Sequence, residues 1–102
     1  MTSPLPELSE ATLDEATVNT LLADLAAHAE VLDLLAKGGA NDRAADGGIA
    51  LSEVAEALAR RSVRGVQIRY RFDGAEWRDT LLCHPNGVRL VRMRMPALPP
   101  EV

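Results

Sequence analysis

Apolar residues recur at spacings of three and four through the first half of the chain, the pattern of an amphipathic helix. The positions are Val18, Leu21, Leu22, Leu25, Ala29, Leu32 and Leu35. Thr12 and Glu15 have the spacing of a capping box, and Gly38 is a typical helix stop. The pattern predicts one helix over residues 13–37 after a flexible arm over residues 1–11. Residues 29–37 could also form a short strand.

The middle of the chain is rich in glycine. Residues 38–50 contain four glycines and no apolar periodicity, which predicts a loop. Ser52 has the position of an N-cap, and a short second helix is predicted over residues 53–62. At the end of the chain, residues 96–102 contain three prolines and are predicted to form a tail.

Alternating apolar and polar residues predict β-structure in the C-terminal part. The predicted strands are residues 66–72, 75–83 and 88–95. Asp73-Gly74 is a preferred two-residue hairpin turn, which places Tyr70 opposite Trp77 in the first two strands. The chain is therefore predicted to be an α+β domain. Its long N-terminal helix and short second helix would pack on one face of a three-stranded antiparallel meander.

The turn before the third strand fixes which side chains that strand buries. A loop of two or four residues would place Arg92 and Arg94 on the face of the aromatic residues. A three-residue turn, with Gly87 left-handed in a bulge, would place Val91 and Met93 there instead. A shift of one residue reverses every side chain of a strand. The three-residue turn is predicted because it avoids burying two arginines.

Charge is divided unevenly along the chain. Residues 1–59 contain eleven acidic residues against Lys37 and Arg43, a net charge of -9. Residues 60–94 contain nine arginines against three acidic residues, a net charge of +6. On the predicted register, one sheet face carries Arg69, Arg71, Arg78, Arg92 and Arg94.

This arginine-rich face predicts a docking surface for an acidic protein, because guanidinium groups bind carboxylates in bidentate fashion and arginine is enriched at interfaces. The alternative interpretation is a solvated face with no partner. The acidic first half argues against nucleic acid, because it would repel phosphates. The opposite charges of the two halves also predict weak self-association.

Few residues suggest chemistry. Asp79 is expected on the apolar face, where a carboxylate needs a bond to a backbone amide or a nearby arginine. Cys83 and His84 are neighbours on a strand and point to opposite faces, so they cannot act as a nucleophile and its base. His28 is expected to be a half-buried structural residue. The chain is therefore predicted to be non-enzymatic, with no metal site and no cofactor.

Compartment signals are weak. A single cysteine excludes an intrachain disulfide and favours a reducing compartment. Residues 1–10 have no basic residue and no apolar run, so they do not resemble a signal peptide. No stretch approaches the ~18 apolar residues of a membrane span. The expected location is the cytoplasm, without membrane contact.

Two resemblances suggest functions. Residues 69–81, Arg-Tyr-Arg-Phe-Asp-Gly-Ala-Glu-Trp-Arg-Asp-Thr-Leu, followed by Gly-Val-Arg-Leu-Val-Arg from Gly87, resemble small accessory proteins encoded beside nickel–iron hydrogenases. This resemblance implies an assembly or regulatory partner of a metalloenzyme. Residues 51–58 resemble the first helix of a helix-turn-helix, and a hairpin follows, as in a winged helix. The seven residues between Leu58 and Val66 are too few for a turn and a recognition helix.

Overall fold

An antiparallel sheet is the centre of the molecule in the computed structural model, which describes residues 8–38 and 47–95. In chain order the described elements are β1 (Leu8–Leu13), α1 (Glu15–His28), β2 (Glu30–Lys37), β3 (Gly47–Gly48), α2 (Leu51–Ala59), β4 (Gly65–Phe72), β5 (Ala75–His84) and β6 (Gly87–Arg94). The strands of the described residues lie in the order β1-β6-β5-β4-β2-β3. The structure is therefore α+β, with two helices and a sheet that is larger than predicted.

The predicted three-stranded meander with a long N-terminal helix is wrong as an architecture. Strands β4, β5 and β6 begin and end within one residue of the predicted strands, but they are the middle of the sheet. Strand β1 pairs with β6 on one side, and β2 pairs with β4 on the other. The predicted tail over 96–102 lies outside the described residues, as do most of the predicted loop and arm.

The predicted helix over residues 13–37 is two elements. Helix α1 ends at His28, and Ala29 has extended backbone angles, φ -117° and ψ 157°. The chain then runs antiparallel to β4 as β2, where a bulge at Leu32 interrupts the pairing between Val31 and Asp33. The extra residue breaks the alternation of a strand, so the apolar spacings of β2 imitate those of a helix.

The predicted flexible arm also contains a strand. Residues 8–13 form β1, with Glu10 opposite Val91 and Thr12 opposite Arg89. The N-cap of α1 is therefore Asp14 rather than Thr12, and the amide of Thr17 donates to Asp14 Oδ1 at 2.8 Å. The capping box predicted for Thr12 does not form, because that residue belongs to the sheet.

Helix α2 begins at Leu51 and ends at Ala59, earlier at both ends than the predicted range 53–62. The Glu53 carboxylate accepts a hydrogen bond of 3.3 Å from the amide of Ala50, which stands at the N-cap. Ser52 is therefore inside the first turn. Val54 and Leu58 are the buried residues of this helix.

The β4–β5 and β5–β6 hairpins both have two-residue turns. Asp73 and Gly74 take positive φ angles of 54° and 78°, and β4 and β5 pair with Tyr70 opposite Trp77. In the next hairpin, His84 pairs with Gly87. The predicted three-residue turn is therefore wrong, and every side chain of β6 lies on the face opposite to the one predicted.

Both helices pack on the same face of the sheet, which we call the covered face. Every buried strand side chain among the described residues lies there: Leu34, Ala36, Val66, Ile68, Tyr70, Asp79, Leu81 and Val88. They meet Val18, Leu22 and Leu25 of α1 and the two buried residues of α2 in one core cluster. The opposite side of the sheet is the open face, which carries no helix among the described residues.

Candidate functional site

The open face presents rows of side chains that run across the sheet. One row is uncharged at its centre and contains Leu35, Gln67, Thr80 and Val91. The next row contains Asp33, Arg69, Arg78 and Met93. Alternation along the strands puts these residues on the side away from both helices, and none of them is buried. This face is the candidate functional site.

The structure divides the five arginines of the predicted site between the two faces. Arg69, Arg71 and Arg78 lie together on the open face. Arg92 pairs with Asp79 and Arg94 pairs with Trp77, so both belong to the covered face. The prediction of one five-arginine surface is wrong, because it depended on the three-residue turn. Arg89, which was not predicted, takes a place on the open face beside Leu82.

Ion pairs neutralise most of the charge on the open face. Arg69 Nη1 lies 3.1 Å from Glu76 Oε2, and Arg71 Nη1 lies 3.3 Å from Glu30 Oε1. Arg89 pairs with Glu10 at the β1 edge. Two of these three pairs join an acid of the first half to an arginine of the second. The premise of the predicted self-association, that the halves cannot neutralise each other within one copy, therefore fails at these positions.

Arg78 is the exception among the arginines of this face. It stands directly opposite Arg69 on the neighbouring strand, and it makes no ion pair with any residue that the structure describes. Like charges directly opposite each other on a sheet are unfavourable. The centre of the open face therefore carries one arginine whose charge has no partner in the described part of the chain.

Apolar side chains lie among these charges. Leu35, Val91 and Met93 are half-buried by their neighbours in the sheet, and Leu82 is 36% exposed. An antiparallel sheet with one solvated face usually alternates apolar and polar residues cleanly. Here the solvated face also contains apolar side chains between the charged ones.

The covered face contains a polar network at Asp79, a residue with no solvent exposure. Arg92 donates from Nε to Oδ1 and from Nη2 to Oδ2, each at 2.9 Å. The hydroxyl of Tyr70 donates to Oδ1 at 3.2 Å. Burial, and secondarily the charge of Asp79, raise the pKa of Tyr70, while the hydrogen bonds to Asp79 raise the pKa of Arg92. The buried carboxylate thus has the arginine partner that was one of its two predicted alternatives.

Arg94 lies on the same face and meets an aromatic ring. Its guanidinium carbon is 5.8 Å from the ring centroid of Trp77, within the range of a cation–π contact. Trp77 is half-buried, and its Nε1 is buried without a hydrogen-bond partner in the described residues. On the covered face, Arg92 therefore binds Asp79 and Arg94 contacts the ring of Trp77.

The remaining chemistry-bearing residues do not converge. Cys83 is half-buried, and its thiol donates to the carbonyl oxygens of Val63 and Leu58 at 3.3 and 3.6 Å. The described residues include no group of three histidine, cysteine or acidic side chains that could hold a metal ion. Within the same residues, neither helix is long and apolar enough to cross a bilayer.

Comparisons with protein-family models, curated proteins and solved structures give no match for this chain. The resemblance to hydrogenase accessory proteins, the absence of enzymatic activity and the cytoplasmic location therefore stay predictions. The sequence did contain one sign of the true register. Asp79 was expected on the apolar face in need of a partner, and a loop of two or four residues, unlike the three-residue turn, puts Arg92 on that face.

Proposed function

We propose that the protein is a non-enzymatic interaction or accessory domain that docks an acidic protein partner on the open face of its sheet. The observation that carries the proposal is the placement of Arg78 opposite Arg69 at the centre of that face. A carboxylate from a partner would neutralise Arg78 and relieve the repulsion between the two guanidinium groups.

The apolar residues beside this arginine pair support the same function. Met93 is directly opposite Arg78, and Val91 lies one row away, opposite Thr80. A partner that covered these side chains would gain hydrophobic burial while its acidic group met Arg78. Arg69 and Arg71 are already paired within the chain, so Arg78 is the guanidinium group that a partner's carboxylate would meet.

Site-specific photo-crosslinking in the native host tests this proposal. A benzophenone amino acid at position Thr80 would lie at the centre of the open face. The same probe at Ala27, an exposed position of α1, serves as the matched control. We expect a discrete crosslinked product from Thr80 and none from Ala27. That product should weaken as salt concentration rises, because electrostatic contacts at a surface are screened.

Two variants test whether the crosslinked product depends on Arg78. Arg78→Ser should remove most of the crosslinked product from the Thr80 probe, while the fold stays intact. Arg60→Ser is the matched change, because Arg60 is exposed at the end of α2 and pairs with Glu56. Equal crosslinking in both variants would contradict a role for Arg78. A product from Ala27 alone would place the partner on the helical side.

The two alternative functions receive different support from the geometry. Nothing in the described residues favours the DNA-binding alternative, because only residues 60–64 separate α2 from β4 and the hairpin is inside a larger sheet. The metalloenzyme-accessory alternative is compatible with docking on the open face and names one kind of partner. We expect that partner in the cytoplasm, since the chain has a single cysteine.

A further inference from the structure

A second site lies on the opposite side of the sheet, where a cleft opens between α1 and the strands β4 and β6. The cleft has a volume of about 470 Å³, which is within the range of small-molecule sites. Its lining includes Leu21, Asp24, Leu25 and His28 of α1 with Phe72 and Arg92 of the sheet. It shares no residue with the open face.

Arg92 lines this cleft, and two of its five N–H donors bind Asp79. Its Nε and Nη2 atoms hold the two oxygens of Asp79, each at 2.9 Å. Nη1 makes no hydrogen bond with any described residue, and the side chain is 34% exposed. Because the guanidinium group is planar, the bond to Asp79 fixes the orientation of its free edge. That edge is an oriented donor for a second carboxylate.

The charge of the cleft restricts the class of ligand that could supply this carboxylate. The negative charge of Asp79 neutralises the positive charge of Arg92. The exposed carboxylate of Asp24 is therefore an uncompensated negative charge among the lining residues. A phosphate, or an organic acid with no positive group, would meet that charge unpaired. A zwitterion can place its carboxylate on Arg92 and its ammonium group near Asp24.

Apolar surface completes the cleft. Phe72 is 47% exposed, which makes it one of the two exposed large apolar side chains among the described residues. It faces the cleft together with Leu21, which is half-buried, and Leu25. An exposed aromatic ring that lines the same cleft as a guanidinium donor offers an apolar ligand both burial and orientation.

We propose that this cleft binds an apolar α-amino acid, with the carboxylate on the free edge of Arg92, the ammonium group at Asp24 and the side chain against Phe72. The proposal rests on the complementarity of one oriented donor, one exposed acid and one apolar wall.

Titration of the labelled protein with three related probes, followed by amide chemical shifts, tests this inference. The probes are phenylalanine, hydrocinnamate, which lacks the ammonium group, and phenylalaninamide, which lacks the carboxylate. We expect phenylalanine to shift the amides around the cleft at up to millimolar concentration. Each of the other two should bind at least about tenfold more weakly, the usual loss for one charge-assisted contact. Absence of shifts with phenylalanine, or equal binding of all three probes, would overturn the proposal.

Exposed positions allow variants that keep the fold. Asp24→Asn should abolish the preference for phenylalanine over hydrocinnamate, whereas Glu15→Gln on the same helix should preserve it. Phe72→Ala should weaken phenylalanine binding roughly tenfold. Leu82→Ala removes the other exposed large apolar side chain, on the open face, and should have no effect. An unchanged preference in Asp24→Asn, or an equal loss in Leu82→Ala, would refute the assignment.

Discussion

The two faces of the sheet use arginine in different ways. On the covered face, Arg92 is held through two hydrogen bonds to Asp79, a carboxylate that solvent does not reach. On the open face, Arg71 and Glu30 form a single ion pair with side chains that are 53% and 66% exposed. Removing one partner of a buried pair leaves an uncompensated charge, whereas an exposed pair contributes ~0–1 kcal/mol.

This difference separates the arginines of the fold from the arginines available for recognition. Arg92 cannot be exchanged without disturbing the covered face, because Asp79 depends on it. Arg69, Arg71 and Arg78 lie on the open face with at most one ion pair each, so exchanging them should cost little stability. Arg92 therefore supports the fold, whereas these three arginines of the open face should be dispensable for it.

The largest loss of stability is expected when Arg92 is removed from the buried pair with Asp79. Arg92→Met should lower the free energy of unfolding by about 2–4 kcal/mol, which is below the full cost for a buried pair because Arg92 is 34% exposed. Asp79→Asn should cost less, about 1–2 kcal/mol, because the arginine that remains can turn toward water. Urea denaturation followed by Trp77 fluorescence measures both values.

A double variant provides the control for this asymmetry. Asp79→Leu combined with Arg92→Met replaces the pair by apolar side chains, and it should recover most of the stability lost in Arg92→Met. A double variant as unstable as the single one would mean that the loss came from packing rather than from the orphaned carboxylate.

The next largest effect is expected in the pH dependence of stability, through the ionisation of Tyr70. Burial raises the pKa of Tyr70 above its ordinary value of 10.0, so the folded state holds the proton more strongly than the unfolded state. This contribution to stability is fully present below pH 10 and is lost as the pH rises further, since the unfolded chain then releases the proton first. Tyr70 is the only tyrosine, so near-ultraviolet tyrosinate absorbance reports it alone.

We expect tyrosinate to appear only together with unfolding at alkaline pH. The Tyr70→Phe variant is the blank for the absorbance. A normal titration near pH 10, with the fold retained, would show that the hydroxyl is open to solvent and does not belong to the Asp79 network.

The smallest effects are expected on the open face. Arg69→Ser and Glu76→Gln should each change the free energy of unfolding by less than ~1 kcal/mol, since their side chains are 38% and 32% exposed. Arg78→Ser should stabilise the protein by a few tenths of a kcal/mol, about the scale of a like-charge pair on a sheet. A loss well above 1 kcal/mol at Arg78 would mean that this arginine supports the fold.

The sequence predicted the β4–β5 hairpin well because its signals are local. Asp73-Gly74 favours positive φ angles at both turn positions, and the alternation on either side leaves one pairing. The neighbouring hairpin contains Pro85-Asn86-Gly87, which allows more than one turn length. There the choice depended on a tertiary contact, the pair of Asp79 with Arg92, and the rule against buried arginine favoured the wrong face.

Strand β1 was not predicted, and β2 was predicted only as the alternative to a helix over residues 29–37. The reasons differ. The bulge at Leu32 interrupts the alternation of apolar and polar residues in β2. Its leucines therefore have the spacing of a helix, and a helix was predicted. Strand β1 is a short edge strand whose Ser9, Glu10 and Thr12 give almost no apolar pattern, and only pairing with β6 makes it a strand. The five-arginine docking surface was also predicted without a local signal. It depended on the register of one strand rather than on a sequence motif.

The register of β5 and β6 is the most direct test of the whole account, because it decides which arginines share a face. Cross-strand nuclear Overhauser effects between backbone protons report it without any mutation. We expect contacts between Asp79 and Arg92 and between Leu81 and Leu90. Contacts between Asp79 and Met93 and between Leu81 and Val91 would contradict it, since they would return Arg92 and Arg94 to the face of Arg69, Arg71 and Arg78.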